Sequence, residues 1–395
     1  MPEREVVIVS AARTAIGKYG GSLKDLSPTD LAATVVRESV KRAALDPADV
    51  GHVVFGNVIH TEAKDMYLSR VAAIKGGCSV ETPALTLNRL CGSGLQAIVS
   101  AAQTIMLGDA EVAVAGGVEC MSRGQYWIGG MRWGQRMNNA TVVDAMVGAI
   151  TDPFDEVHMG VTAENIASKW GITRADQDAF SLLSQQRAIE AMKHCMFKDQ
   201  IVPIELKSKT GTIVFDTDEQ PRGDVNLESL AKLKPAFDKN GTVTVGNASS
   251  INDGAAAVVL MEASAAKAGG FTPMARLVGY AVAGVDPKYM GIGPVPAVRK
   301  VLGKTGLTLD DIDVIEANEA FAAQALAVSR ELGFSPEKNN PNGGAIALGH
   351  PIGATGAILT VKAVYELRRT GGKYALVTMC IGGGQGIAAI YQGMN

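Results

Sequence analysis

The sequence predicts an α/β fold of two similar halves packed together, with an insertion between them. Strands and helices alternate from the first residues onward, which implies a largely parallel sheet covered on both faces. The second half also repeats the first: VVRESVKRAALDPADVGHVVFGN (35–57) lies against AVRKVLGKTGLTLDDIDVIEANE (297–319). Arg37 falls on Arg299, an offset of 262 residues (299 less 37), and Leu45/Leu307 and Asp49/Asp311 share it. Carried on without a gap, this register sets Cys91-Gly92-Ser93-Gly94 over Gly353-Ala354-Thr355-Gly356, and Val112–Val118 over Tyr374–Cys380. A single register held that far marks an internal duplication. Residues 121–250 have no counterpart, so the halves are expected at 1–120 with 251–272, and at 273–395.

In chain order, Glu5–Ala12 reads as a strand. Ser27-Pro28-Thr29-Asp30 starts a helix, with a serine cap and proline in the first turn, that runs to about Ala44. Val53–Asn57 is a strand, Met66–Ile74 a helix closed by Gly76-Gly77, Ala84–Leu90 a buried strand and Glu111–Gly117 another. In the insertion, Val161–Trp170 and Arg174–Met196 have helical spacing, the second behind a Thr173…Asp176 capping arrangement. Mixed-charge, turn-rich sequence follows (Lys207–Lys239). Val314–Ala317 is a strand, and Tyr374–Met379 runs as a strand into Cys380-Ile381-Gly382-Gly383-Gly384.

The composition bounds the class. With 47% hydrophobic and 19% charged residues and 45 glycines, the chain reads as compact and rich in tight turns. A net charge of −3 without a basic block gives no reason to expect nucleic acid. The five cysteines (Cys78, Cys91, Cys120, Cys195 and Cys380) lack CxxC spacing, so neither a disulfide framework nor a zinc site is suggested. No apolar signal region precedes the first strand, and no apolar run is read as membrane-spanning; the expectation is a soluble, intracellular enzyme.

Chemistry concentrates at strand ends that face helix N-termini, where open α/β sheets bind ligands. In ALTLNRLCGSGLQAI, Cys91 sits at a glycine elbow before the helix Gly92–Met106. A helix N-terminus favours thiolate there, although a free cysteine is more often an inert core residue. His350 is fixed between Gly349 and Pro351 in a stretch too rich in glycine to serve packing. Cys380 ends an apolar strand, and the glycines after it leave backbone N–H groups free for an oxyanion. Cysteine with histidine makes a nucleophile–base pair, and a second cysteine at a second elbow calls for a further proton transfer. There is no P-loop and no GxGxxG after a strand, so nucleotide-cofactor readings lack support.

The chain resembles the thiolases, in particular the bacterial biosynthetic β-ketothiolases, over essentially its whole length. The motifs are VIVSAARTAIGKYGGSL, NRLCGSGLQA, HMGVTAEN, NASSINDGAA, GIGPVPA, EANEAFAAQ, NPNGGAIALGHPIGATGA and TMCIGGGQG. The resemblance implies five α-β-α-β-α layers with an inserted loop domain that binds coenzyme A and pairs dimers into a homotetramer. It implies that Cys91 accepts the acyl group and that His350 activates it. His350 and a water held by Asn318 would stabilise the thioester oxygen of the second substrate. Cys380 would remove the α-proton of acetyl-CoA, and the N–H groups of Cys91 and Gly382 would form an oxyanion hole. Ser249 would bond the pantetheine, flanked by His158 and Met159, with Arg222 and Phe237 at the nucleotide end. Met290, Ala320 and Phe321 would line the thioester tunnel. No cofactor or metal is implied, since coenzyme A thioesters are substrates.

The implied reaction is reversible Claisen condensation of acyl-CoA with acetyl-CoA, feeding polyhydroxyalkanoate synthesis. Alternatives are a degradative 3-ketoacyl-CoA thiolase of broader chain length, an acyl-carrier-dependent ketosynthase and a non-catalytic acyl-CoA-binding protein. The ketosynthase is disfavoured because decarboxylative condensation needs no α-proton base such as Cys380. Four departures from the family pattern are Cys120, the stretch 124–127 (GQYW), Val245 and Ser250; Val245 and 124–127 are expected near the acyl and CoA pocket, leaving chain-length preference open.

Overall fold

A computed structural model describes residues 4–208 and 211–394. The first half holds strand β1 (Val6–Thr14), helix α1 (Pro28–Arg42), β2 (His52–Gly56), α2 (Leu68–Gly76), β3 (Ala84–Leu87), α3 (Ser93–Leu107) and β4 (Val112–Cys120). The insertion carries α4 (Met159–Lys169) and α5 (Arg174–Lys193), after which β5 (Asn252–Glu262) returns to the first half's strands. The second half comprises β6 (Ala275–Gly284), α6 (Pro294–Thr305), β7 (Val314–Ala317), α7 (Ala322–Leu332), α8 (Thr355–Thr370), β8 (Tyr374–Ile381) and β9 (Gln385–Gly393).

The caps follow the sequence. Ser27 accepts from the Asp30 N–H at the head of α1, Thr173 and Asp176 form a reciprocal capping box on α5, and Gly77 (φ +102°) closes α2. The insertion's mixed-charge stretch holds a hairpin, Ile204–Ser208 with Gly211–Phe215; residues 209 and 210 of it lie outside the described ones.

The main strands run β3-β2-β4-β5-β1 and then β6-β9-β8-β7, so the second half mirrors the first. The sheet is not largely parallel, as alternation had implied. Among these main strands β2–β3, β2–β4 and β7–β8 are parallel pairs, and β4–β5, β5–β1, β1–β6, β6–β9 and β9–β8 are antiparallel; the short strand Ile201–Val202 also pairs parallel with β1. The expectation missed β5, β6 and β9, the three strands that enter without a crossover helix. The halves join along a narrow seam, Val7–Arg276 and Ile8–Ala275. The counterpart of edge strand β3 is reduced to one parallel bridge, Ile315 with Asn339. β3 is also half-exposed rather than buried, because it forms the edge of the sheet.

Helices α3 and α8 pack on each other and on strands of both halves, α1 and α2 lie against the first half's strands, and α6 against the second's. This gives five layers, α-β-α-β-α. The central contact is close because Gly94 and Gly356, partners in the 262-residue register, carry no side chain. A Cβ on Gly94 would sit 2.7 Å from the Ala357 nitrogen, and one on Gly356 2.3 Å from that of Leu95. Leu95, Ile98 and Ile105 of α3 are fully buried, each worth about 1.5–3 kcal/mol. Contrary to the sequence reading, Leu90–Leu107 is long and apolar enough to cross a membrane by composition. Its place between two sheets accounts for that composition.

Candidate active site

The thiol loop is built by local hydrogen bonds. Leu90 takes a left-handed backbone (φ +45°), which a branched side chain adopts only at a cost. Its N–H donates to Asn88 Oδ1 at 2.8 Å, and the Ser93 hydroxyl accepts from the Arg89 N–H at 2.8 Å while donating to the Leu90 carbonyl at 2.7 Å. Cys91 therefore lies in a 3-10 turn one step before α3. Opposite it, Cys380 is buried near the end of β8, and the turn Gly382–Gly384 leads into β9, with Gly383 and Gly384 at φ +81° and +86°. The Gly382 N–H points at the Cys91 sulfur.

Burial pushes the Cys91 thiol up to about 11, outweighing the Gly382 hydrogen bond. The thiolate expected from the helix terminus alone is thus not the resting form; desolvation exceeds the dipole. Burial, and then the nearness of Cys91, raise the Cys380 thiol further still. His350 is buried, and desolvation lowers it to about 4, so its ring is neutral at pH 7. The site rests as two thiols and a neutral imidazole, an uncharged set that needs a base to make thiolate.

His350 is fixed on all sides. Its backbone N–H donates to Asn252 Oδ1 at 2.9 Å, while in the ring Nδ1 lies 2.6 Å from Thr355 Oγ1 and Nε2 lies 3.4 Å from Asn318 Nδ2. Gly349 before it has φ +103°, and any Cβ there would strike Asn252. Asn318, at the end of β7, is buried with Oδ1 unpartnered.

Cys91, His350, Cys380 and Gly382 line one cavity of about 380 Å³, together with His158, Met159, Arg222, Phe237, Ser249, Met290, Ala320 and Phe321. Asn318 alone of the expected residues stands outside that wall, reaching the cavity through His350. The His158 ring stacks on Phe237 (centroids 4.5 Å, 16°), which meets Phe321 edge-on at 6.1 Å. Gly160 makes room for Phe237, since a Cβ there would come within 2.2 Å of the ring. The Ser249 N–H and hydroxyl both donate to the Ala320 carbonyl at 3.0 Å, tying the insertion's end to the loop after Asn318. Arg222 is placed by a strap. Buried Arg13 holds Asp218 through two bonds of 2.8 and 2.9 Å, and the Glu219 N–H donates to the Ile16 carbonyl at 3.0 Å.

Sequence reasoning missed Leu90, Met121, Ala149, Ile251 and Ile352, apolar residues of turns, loops and one short helix around the thiol, with no chemical signature. It also missed Glu119, a fully buried carboxylate that accepts from the N–H groups of Val58, Ile59 and Gly353 at 2.9–3.1 Å and from Asn57 at 3.0 Å. Its sign was an acid ending an apolar strand. Burial raises it to about 8. Val245 is 75% exposed at the cavity mouth, away from the thiols, and Tyr126 and Trp127 of the 124–127 stretch lie on an exposed hairpin. A larger open groove of about 910 Å³, with Arg42, Lys198 and Arg368 on its walls, holds none of these residues.

Two halves, each giving sulfur or imidazole to one cavity, define a thiol-dependent acyl-transfer site, and comparison with known proteins agrees. Family models for the N-terminal and C-terminal thiolase domains match residues 6–264 and 271–393. The chain belongs to the thiolase family. It is 62% identical to the β-ketothiolase BktB of Cupriavidus necator over 98% of this chain and 99% of the relative. It is 53% identical to an acetyl-CoA acetyltransferase of Pseudomonas aeruginosa over 98% of each. Among solved structures, human mitochondrial 3-ketoacyl-CoA thiolase in complex with CoA superposes with TM-score 0.96 at 46% identity, covering 99% of this chain and 98% of that one.

Proposed function

We propose that the protein is an acetyl-CoA C-acetyltransferase of the β-ketothiolase type, interconverting acyl-CoA plus acetyl-CoA with 3-ketoacyl-CoA plus CoA. The observation that carries this reading is the meeting of Cys91, His350 and Cys380 in one cavity, with the Gly382 N–H aimed at the nucleophile. Similarity to BktB and to the acetyltransferases favours short acyl groups, acetoacetyl-CoA and 3-ketovaleryl-CoA among the products.

In the first step His350 Nε2 takes the Cys91 proton as the sulfur attacks the acyl-CoA carbonyl. The tetrahedral oxyanion is held by the N–H groups of Cys91 and Gly382, each such donor being worth about 2.7–4 kcal/mol. CoA leaves with the Cys380 proton, so that Cys380 becomes the thiolate and His350 stays protonated, while the acyl group stays on Cys91. Acetyl-CoA then binds, and Cys380 removes its α-proton. The enolate oxygen accepts from protonated His350 and from a water held by Asn318, and the enolate carbon attacks the acyl-cysteine. Collapse breaks the C–S bond to Cys91 and releases 3-ketoacyl-CoA, and the Cys91 sulfur takes its proton back from His350, which restores the thiol and the neutral ring. No metal or other cofactor enters. His158, Met159 and Ser249 hold the pantetheine arm, Arg222 and Phe237 take the nucleotide end, and Met290, Ala320 and Phe321 guide the thioester.

Assembly belongs to the same reading. The hairpin Tyr126–Ile128 with Val142–Asp144 and its connecting loop expose Trp127, Met131, Trp133 and Met137, an apolar surface suited to pairing dimers into a homotetramer. A cytoplasmic enzyme supplying polyhydroxyalkanoate precursors completes the proposal. The test is thiolysis: protein, acetoacetyl-CoA and CoA are mixed and loss of the Mg²⁺-enolate absorbance is followed. Folded protein that leaves the absorbance unchanged refutes the reading.

A further inference from the structure

Thr355 opens α8 beneath His350. Its Oγ1 lies 2.6 Å from His350 Nδ1 and donates to the Pro351 carbonyl at 2.9 Å. A hydroxyl has one proton. With that proton on Pro351, the oxygen facing the ring is an acceptor, and Nδ1 carries the hydrogen. The other side of the ring gives the same answer. Asn318 Nδ2, a donor, faces Nε2 at 3.4 Å, and a hydrogen on Nε2 would oppose it.

The duplicated half supplies a second observation. Ser93 occupies the position of Thr355 in the 262-residue register. Its hydroxyl also donates to an upstream carbonyl, that of Leu90, and accepts from the Arg89 N–H, whose polarity is fixed by the backbone. The same hydroxyl thus plays the same donor–acceptor part in both halves, with a ring N–H in place of a peptide N–H in the second.

The geometry points to Thr355 as a positioning residue that holds His350 as the Nδ1–H tautomer, so that Nε2, met by Asn318 only at 3.4 Å, carries no hydrogen and can take the Cys91 proton. This rests on His350 being the base in the proposed function. Without the acceptor, the buried Nδ1–H loses its partner and the proton moves to Nε2, the nitrogen that must be empty. Wrong-tautomer histidine is a costly fault in catalytic triads, where a comparable change lowers rate about 10⁴-fold.

The experiment compares wild type, Thr355→Ser and Thr355→Val by two readouts. The first is the His350 ring signature in two-bond ¹H–¹⁵N spectra of histidine-labelled protein, assigned with His350→Gln. The second is alkylation of Cys91 by iodoacetamide at pH 7, followed by peptide mass. Wild type and T355S are expected to show Nδ1–H and to alkylate within about twofold of each other; T355V is expected to shift toward Nε2–H and to alkylate about tenfold or more slowly. Nε2–H in wild type, unchanged T355V, or T355S as impaired as T355V would each overturn the assignment. If T355V does not fold, the wild-type tautomer decides alone. Failure of thiolysis in wild type would count against the enzymatic reading, which the ring spectrum does not depend on.

Discussion

The ends of β4 and β8 are the same place in the duplicated fold, and they have been put to opposite uses. After β8 the chain turns through Gly382–Gly384 directly into β9. After β4 it leaves for residues 121–251 before returning as β5, the partner in the equivalent pairing. The tight turn supplies the Gly382 N–H beside Cys91, the proposed nucleophile, and the long excursion supplies walls of the cavity. The helix starts diverge likewise: α3 follows Cys91, and α8 begins with the hydroxyl that meets the His350 ring. A twofold scaffold makes an asymmetric site because each half keeps one sharp turn and gives up another.

The largest test of this division of labour is at the thiols. Cys91→Ala should lower thiolysis by at least about 10⁴-fold and abolish covalent labelling by acetyl-CoA, seen as loss of an acetyl mass shift on the Cys91 peptide. Labelling at any other cysteine would break the comparison. Cys380→Ala should keep that label while condensation falls about 10²–10⁴-fold, the share of one proton transfer. Loss of the label as well would mean that the second half also serves acylation.

A smaller effect separates the halves by pH. Unfolded, His350 takes a proton near 6.5; folded, only near 4, because burial opposes the charge. Between those values the unfolded chain binds the extra proton, so stability is complete above 6.5 and is lost as pH falls toward 4. The loss amounts to about 3 kcal/mol. Urea midpoints of wild type should fall over this range relative to His350→Gln. Parallel curves would show that the ring is not enclosed as described.

Much of this arrangement was legible because duplication is written in residue types. The register from Arg37/Arg299 carried through to Ser93/Thr355 and placed both helix starts correctly. The antiparallel strands were harder. β5 and β9 are alanine-rich and buried, with no alternation to betray them, and β6 follows only a six-residue helix, Ala263–Ala268, too short to announce a crossover. Cys91 could be named, but its resting protonation could not. The helix terminus is visible in sequence, whereas the desolvation that overrides it depends on Ile352, Met121 and Ile251, which come from distant loops. Glu119 escaped for the same reason: its backbone donors come from Val58, Ile59 and Gly353, on two different segments.

The smallest expected effect concerns Val245, which the sequence placed near the acyl pocket. Its side chain is 75% exposed and shares the cavity mouth with Gln220, Ala248 and Ser250, whereas the thiol is walled by Met121, Ala149, Ile251 and Ile352. In the proposed reaction an acyl group on Cys91 would grow into the second set, where an added methylene meets apolar surface worth about 0.8 kcal/mol when fully buried. Val245 meets none of it. Val245→Ala should therefore leave the ratio of kcat/KM for 3-ketovaleryl-CoA over acetoacetyl-CoA within about twofold of wild type. Ala149→Val, which adds bulk beside the thiol, should lower that ratio by about 3–10-fold, the scale of one methylene. If the effects were reversed, chain length would be read at the mouth contributed by the insertion's end, and the assignment of acyl recognition to the loops around Cys91 would fail.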